Sequence, residues 1–122
     1  MQTERGIVLF AHGSRDARWR APVEAVAARI GTLAPNVAVR CAYLEAATPD
    51  LAAAVEDLAS AGVQTIDVLP IFLGVGKHLR EDLPRLIDDM RAARPQLALH
   101  LRAAVGETPE LIEALARIAL KN

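Results

Sequence analysis

The chain has 122 residues, a length that supports one hydrophobic core and leaves too little for a second. Just over half of it is apolar, largely aliphatic and alanine, with only four aromatic residues, which excludes a disordered chain and predicts a core of closely packed helices and strands. Fourteen basic and fifteen acidic residues are interspersed to a formal charge of -1, so no field of one sign is available to draw nucleic acid or an anionic membrane surface.

No apolar run reaches the roughly 20 residues needed to cross a bilayer, and Met1 to Arg5 carries no hydrophobic leader, so the expected location is the cytoplasm. The one cysteine, Cys41, has no partner for an internal disulfide, which suits a reducing compartment.

In chain order, a β-rich run at Gly6 to Ala11 leads into a segment with Val23, Val26, Ile30 and Leu33 at helical spacing. Strand 2 is expected at Val37 to Tyr43, followed by a helix carrying Leu51, Val55 and Leu58. Strand 3 is expected at Thr65 to Ile71, followed by a helix carrying Leu83, Leu86, Ile87 and Met90. Strand 4 is placed at Leu97 to Arg102, and all four strands read as buried beneath covering helices. Thr48-Pro49-Asp50 and Thr108-Pro109-Glu110 each read as a helix start: a capping hydroxyl, a proline in the first turn and an acid favoured by the helix dipole. Gly62 and Arg94-Pro95 read as helix ends. The likeness of the two Thr-Pro helices needs no duplication to explain it.

Alternation of strand and helix predicts an α/β domain spanning residues 1–122, with a four-stranded parallel sheet flanked by helices. Right-handed crossovers favour the flavodoxin-like order 2-1-3-4. In such sheets ligands bind outside the carboxyl ends of the strands, at the point where the winding reverses. Immediately after strand 1 stands His12-Gly13-Ser14, after strand 2 Leu44-Glu45, and after strand 3 Gly74-Val75-Gly76-Lys77-His78. Adjacent strands lie roughly 4.8 Å apart, so His12, Glu45 and His78 can converge on one cleft. Two imidazoles and a carboxylate can hold a divalent first-row metal with positions left open, and a neutral imidazole can also accept a proton.

Taken singly, each histidine reads as well as a hydrogen-bonded turn residue, and Glu45 as a solvated loop acid; their convergence is what points to chemistry. His100, inside strand 4 and away from the switch point, reads as structural. The glycines 74 and 76 fit neither G-x-G-x-x-G, because Leu79 stands at its last position, nor a P-loop, and their role is to let backbone turn and approach a ligand. Ser14 lacks the surroundings of a nucleophile elbow and reads as a cap or hydrogen-bonding residue. Arg15, Lys77 and Arg80 flank the proposed mouth, where they suit substrate carboxylates or simply meet solvent.

Three blocks, AHGSRD at 11–16, YLEAATPDL at 43–51 and LPIFLGVGKHLREDLP at 69–84, resemble the class II chelatases, in particular the short CbiX-like sirohydrochlorin chelatases. The resemblance covers nearly the whole chain. It implies insertion of cobalt, iron or nickel into a sirohydrochlorin-like tetrapyrrole in cobalamin or sirohaem biosynthesis, cobalt being favoured, with no ATP and no organic cofactor. It makes His12 and His78 the metal-site histidines and Glu45 the acid that assists them, and implies a homodimer whose two halves make the cavity; Ser14, Arg15, Gly76, Lys77 and Arg80, from their own places around the mouth, are the residues expected toward substrate. A metal-binding or metal-delivery module using the same ligands without turnover is the alternative. A flavodoxin-like nucleotide or receiver domain is a weaker one, lacking a phosphate loop and an acidic pocket.

Overall fold

The structure is a computed structural model that describes residues 5–122; residues 1–4, on which the expectation of no leader bears, lie outside the described residues. Its elements run β1 (Arg5–Ala11), α1 (Ala17–Leu33), β2 (Ala38–Tyr43), α2 (Leu51–Ser60), β3 (Thr65–Pro70), α3 (Lys77–Ala93), β4 (Ala98–Leu101), a 3-10 turn (Val105–Glu107) and α4 (Pro109–Leu120). All pairings are parallel and the sheet order is β2-β1-β3-β4, the order expected from the alternation.

Side chains alternate across this sheet. Val8 and Phe10 of β1, with Ile66 and Val68 of β3 and Leu99 of β4, meet Leu51, Val55 and Leu58 of α2 and Leu83 and Ile87 of α3. On the opposite face Leu9 and Ala11 meet Tyr43 and Val23, with Ala27 and Ile30 of α1 packed against them. Each fully buried Val, Leu, Ile or Phe contributes about 1.5–3 kcal/mol relative to exposure, so these two layers hold the strand ends, and the loops beyond them, in register.

The start of α2 corrects the sequence reading. Asp50, not Thr48, is the N-cap: its carboxylate accepts from the Ala53 N–H at 2.8 Å, and Leu51 is the first helical residue. Pro49 stays outside the helix because its carbonyl accepts from the Tyr43 N–H at 2.9 Å, which ties it to the end of β2. Removing the cap with Asp50→Ala is expected to cost about 1 kcal/mol, read as a lowered urea midpoint at unchanged slope. At α4 the proline and acid stand as expected, but the Thr108 hydroxyl donates back to the Val105 carbonyl at 2.7 Å and makes no cap. Gly62, at φ 94°, follows α2, and Arg94 is the C-cap of α3, both as read.

The expectation of uniformly buried, covered strands also fails at the edges. β2 and β4 are only partly buried, and α4 packs on the 3-10 turn while burying none of its own residues. Ile112, Leu115 and Ile118 are therefore exposed. His100 of β4 is exposed, opposite Asp67 of β3, whose carboxylate is already held by Arg5 at 3.1 Å. Among the described residues no helix is long and apolar enough to cross a membrane.

Candidate active site

Beyond the last rungs of the sheet, the loops after β1 and β2 stay zipped together. The Leu44 N–H donates to the Ala11 carbonyl at 2.9 Å and the Glu45 N–H to the His12 carbonyl at 3.0 Å. Gly13 makes this closeness possible: it lies at φ 96°, and a methyl group on it would overlap the Glu45 carbonyl oxygen and crowd the Cβ of Tyr43. The result is a direct contact of 2.7 Å between His12 Nε2 and Glu45 Oε1, with both side chains 63% exposed. A carboxylate so placed fixes the orientation of the imidazole while the open side of the pair faces solvent.

The β1–α1 loop is braced in its own right. Ser14 Oγ accepts from the Asp16 N–H at 3.0 Å, the Arg20 guanidinium donates to the Ser14 carbonyl at 2.7 Å, and Asp16 caps α1 through the Arg18 N–H at 2.9 Å. Bonds from Arg18 hold the Asp16 carboxyl below the usual carboxylate range. Just behind Leu44, burial pushes the Tyr43 phenol up, so it stays a neutral hydroxyl.

On the other side, the segment after β3 is pinned from two directions. The Ile71 N–H donates to the Phe10 carbonyl at 2.7 Å and the Gly106 N–H to the Phe72 carbonyl at 3.0 Å, while Phe72 meets Phe10 edge to face with ring centroids 5.9 Å apart. Gly106 has no room for a side chain, because a methyl there would overlap the backbone of Leu73. Gly76 caps α3 by position, and His78 sits exposed in that helix's first turn. Neither Gly74 nor Gly76 has a positive φ, and space is open where a side chain would be, so the fold alone does not demand glycine at either place.

Of the three residues expected to converge, His12 and Glu45 are in contact and His78 stands apart on the same sheet edge. Among the described residues no group of three or more His, Cys, Asp and Glu side chains is gathered closely enough to hold one ion. The physical reason is where each residue is anchored: His12 and Glu45 lie on loops zipped together by backbone bonds just past their strands, whereas His78 stands beyond the β3–α3 connection, in the first turn of the helix. Arg15 and Lys77 are exposed and form no ion pair among the described residues; Arg80 donates to the Val75 carbonyl at 3.1 Å. Ser14 is engaged in bracing the loop. Two residues that matter here were not singled out from sequence: Gly13, detectable only as the glycine following the site histidine, and Arg102, which stands just past the end of β4.

The CbiX family model matches residues 6–121. This chain belongs to the CbiX family of chelatases. It is 34% identical to the CbiX protein of Marinobacter aquaeolei VT8, whose crystal structure superposes with a TM-score of 0.81 over 94% of this chain and 93% of that one. Relatives named sirohydrochlorin cobaltochelatase include those of Methanosarcina barkeri, 32% identical over 71% of this chain and 67% of that one, and Methanococcoides burtonii, 31% identical over 71% and 66%. The sirohydrochlorin chelatase SirB of Bacillus subtilis subspecies spizizenii, solved with cobalt, shares the fold at 20% identity and a TM-score of 0.77; the match covers 96% of this chain and 49% of SirB. This CbiX-family chain is thus about half the length of that chelatase.

Proposed function

We propose that this chain is a sirohydrochlorin chelatase that inserts a divalent metal, with cobalt favoured over iron and nickel, into the macrocycle during formation of cobalamin or sirohaem. The observation that carries this reading is the exposed His12–Glu45 pair at the sheet's carboxyl edge, with His78 on the same edge. Membership of the CbiX family and relatives named for this reaction support it.

Insertion requires a metal that has shed part of its water, two pyrrole N–H protons removed, and a ring bent so that its lone pairs face one side. His12 receives the metal, Glu45 keeps the His12 ring aimed outward and shares the charge, and His78 takes up one pyrrole proton while the other passes to solvent water, or else His78 completes the ligand set and both protons pass to water. A loose set of ligands suits this task. A closed three-ligand cage would hold the ion against the macrocycle, whereas a pair backed by water releases it, and binding that favours the bent ring over the flat one lowers the barrier. Ser14, Arg15, Gly76, Lys77 and Arg80 line the approach to substrate, and the reaction draws on neither ATP nor an organic cofactor.

A second copy completes the cavity. The chain is about half as long as SirB, and the exposed Ile112, Leu115 and Ile118 of α4 offer an apolar contact surface. Sedimentation at micromolar concentration is expected to give a dimer, and Leu115→Asp to give monomers with little insertion activity.

The deciding experiment is an anaerobic assay with metal-free sirohydrochlorin and, separately, cobalt, iron and nickel, followed by loss of the free-base absorption. Many turnovers per chain, fastest with cobalt, are expected. Stoichiometric release of metal to an acceptor without turnover would instead make the chain a delivery module.

A further inference from the structure

Between β3, β4 and α3 lies an open pocket of about 230 Å³ that the His12–Glu45 pair does not touch. Its lining is largely apolar, including Pro70, Leu79, Leu83 and Leu101, and it also takes in two arginines, Arg80 and Arg102, and one acid, Glu107. Neither arginine is paired with a carboxylate among the described residues: Arg80 spends one N–H on the Val75 carbonyl at 3.1 Å, and Arg102 is exposed just past the end of β4. An apolar lining that includes two arginines without carboxylate partners suits a short aliphatic chain ending in a carboxylate, which can bury its methylenes and pair its head with a guanidinium.

The pocket is also correctly placed. Val75 belongs to the connection between β3 and α3 that leads to His78, so the pocket borders the segment that carries that histidine. β4 lies two strands from β1, roughly 10 Å at ordinary strand spacing, so a macrocycle centred near His12 extends one of its arms over the tip of β4.

We infer that this pocket is a subsite for a carboxylate-bearing arm of the tetrapyrrole, with Arg102 as its principal anchor and Arg80 as its second. This rests on the chelatase reading, naming where that substrate's periphery is held. It sets the register of the ring over the histidines, so its loss weakens substrate capture more than the insertion step. Glu107 opposes the anchor and limits how tightly the arm is held.

The test separates binding from insertion. Metal-free sirohydrochlorin is titrated by absorbance and fluorescence against the wild-type protein, Arg102→Gln, the double variant Arg80→Gln/Arg102→Gln, and Glu107→Gln, each first checked for an unchanged thermal midpoint and oligomeric state. Arg102→Gln is expected to raise Kd and KM about tenfold, with the loss falling on KM rather than kcat; the double variant loses more, and Glu107→Gln binds about threefold tighter. Raising the salt is expected to weaken the wild-type protein and leave the double variant less affected. A Kd within twofold of wild type for the double variant overturns the subsite. So does an effect of Arg102→Gln confined to dimer dissociation, which would mean that the second copy fills the pocket. Because the titration contains no metal, its outcome stands apart from turnover: an absence of insertion by a wild-type protein that binds the macrocycle counts against the chelatase, not against the pocket.

Discussion

His12→Ala is expected to slow metal insertion by roughly 10²- to 10⁴-fold, the range for removing a positioned group that handles protons or ligates the reacting metal. Its imidazole is already oriented by a partner, at 2.7 Å from Glu45. Folding is expected to be nearly unaffected. The pair is exposed on both sides, and such pairs contribute about 0–1 kcal/mol, so far-ultraviolet circular dichroism and the urea midpoint remain close to wild type. Glu45→Gln keeps the size and the hydrogen-bonding reach of the side chain and removes its charge; a loss of about 10- to 100-fold is expected, the usual penalty for a group that orients a ligand. Turnover by His12→Ala within a few-fold of wild type, across the three metals, would remove this histidine from the reaction.

The second large effect concerns a residue with no side chain. Gly13→Ala places a methyl group where the Glu45 carbonyl oxygen lies, at a backbone angle of 96° that alanine rarely adopts. Strain of the backbone and displacement of the β2 loop together are expected to cost about 2–4 kcal/mol, measured by chemical denaturation. Activity is expected to fall further than stability explains, because the same displacement parts the two bonds that zip the loops and separates Glu45 from His12. Infrared or NMR detection of the His12–Glu45 contact in the folded variant checks this. Native stability and activity in the Gly13→Ala protein would mean that the loop yields at little cost.

Much of this was legible in the sequence because it depends on local pattern. The strands are short aliphatic runs separated by helical repeats, and handedness then leaves few sheet orders, so β2-β1-β3-β4 and the carboxyl edge carrying His12, Glu45 and His78 followed. What depended on long-range placement did not. Local pattern makes Thr48 the cap and Asp50 a first-turn acid, and the bond from Tyr43 to Pro49 shifts the start so that Asp50 caps instead. The amphipathic pattern of α4 gave its existence correctly but said nothing of what would cover it, since an apolar stripe serves a sheet and a second chain equally. Whether His78 closes on His12 depends on the path of a six-residue segment pinned by Gly106, far along the chain in the turn before α4. Arg102 was lost for a smaller reason: one residue decides whether it ends a strand or overlooks a pocket.

The two members of the His12–Glu45 pair hang from unequal supports. β1 has neighbours on both sides, whereas β2 is the outermost strand on its side of the sheet. Local openings start at edges, at a free energy below that of global unfolding. The lifetime of the pair is therefore set by fraying of β2: on warming, Glu45 departs while His12 is still held by the centre of the sheet. Amides of β2 should exchange with deuterium sooner than those of β1, and heat should silence the protein some degrees before it melts.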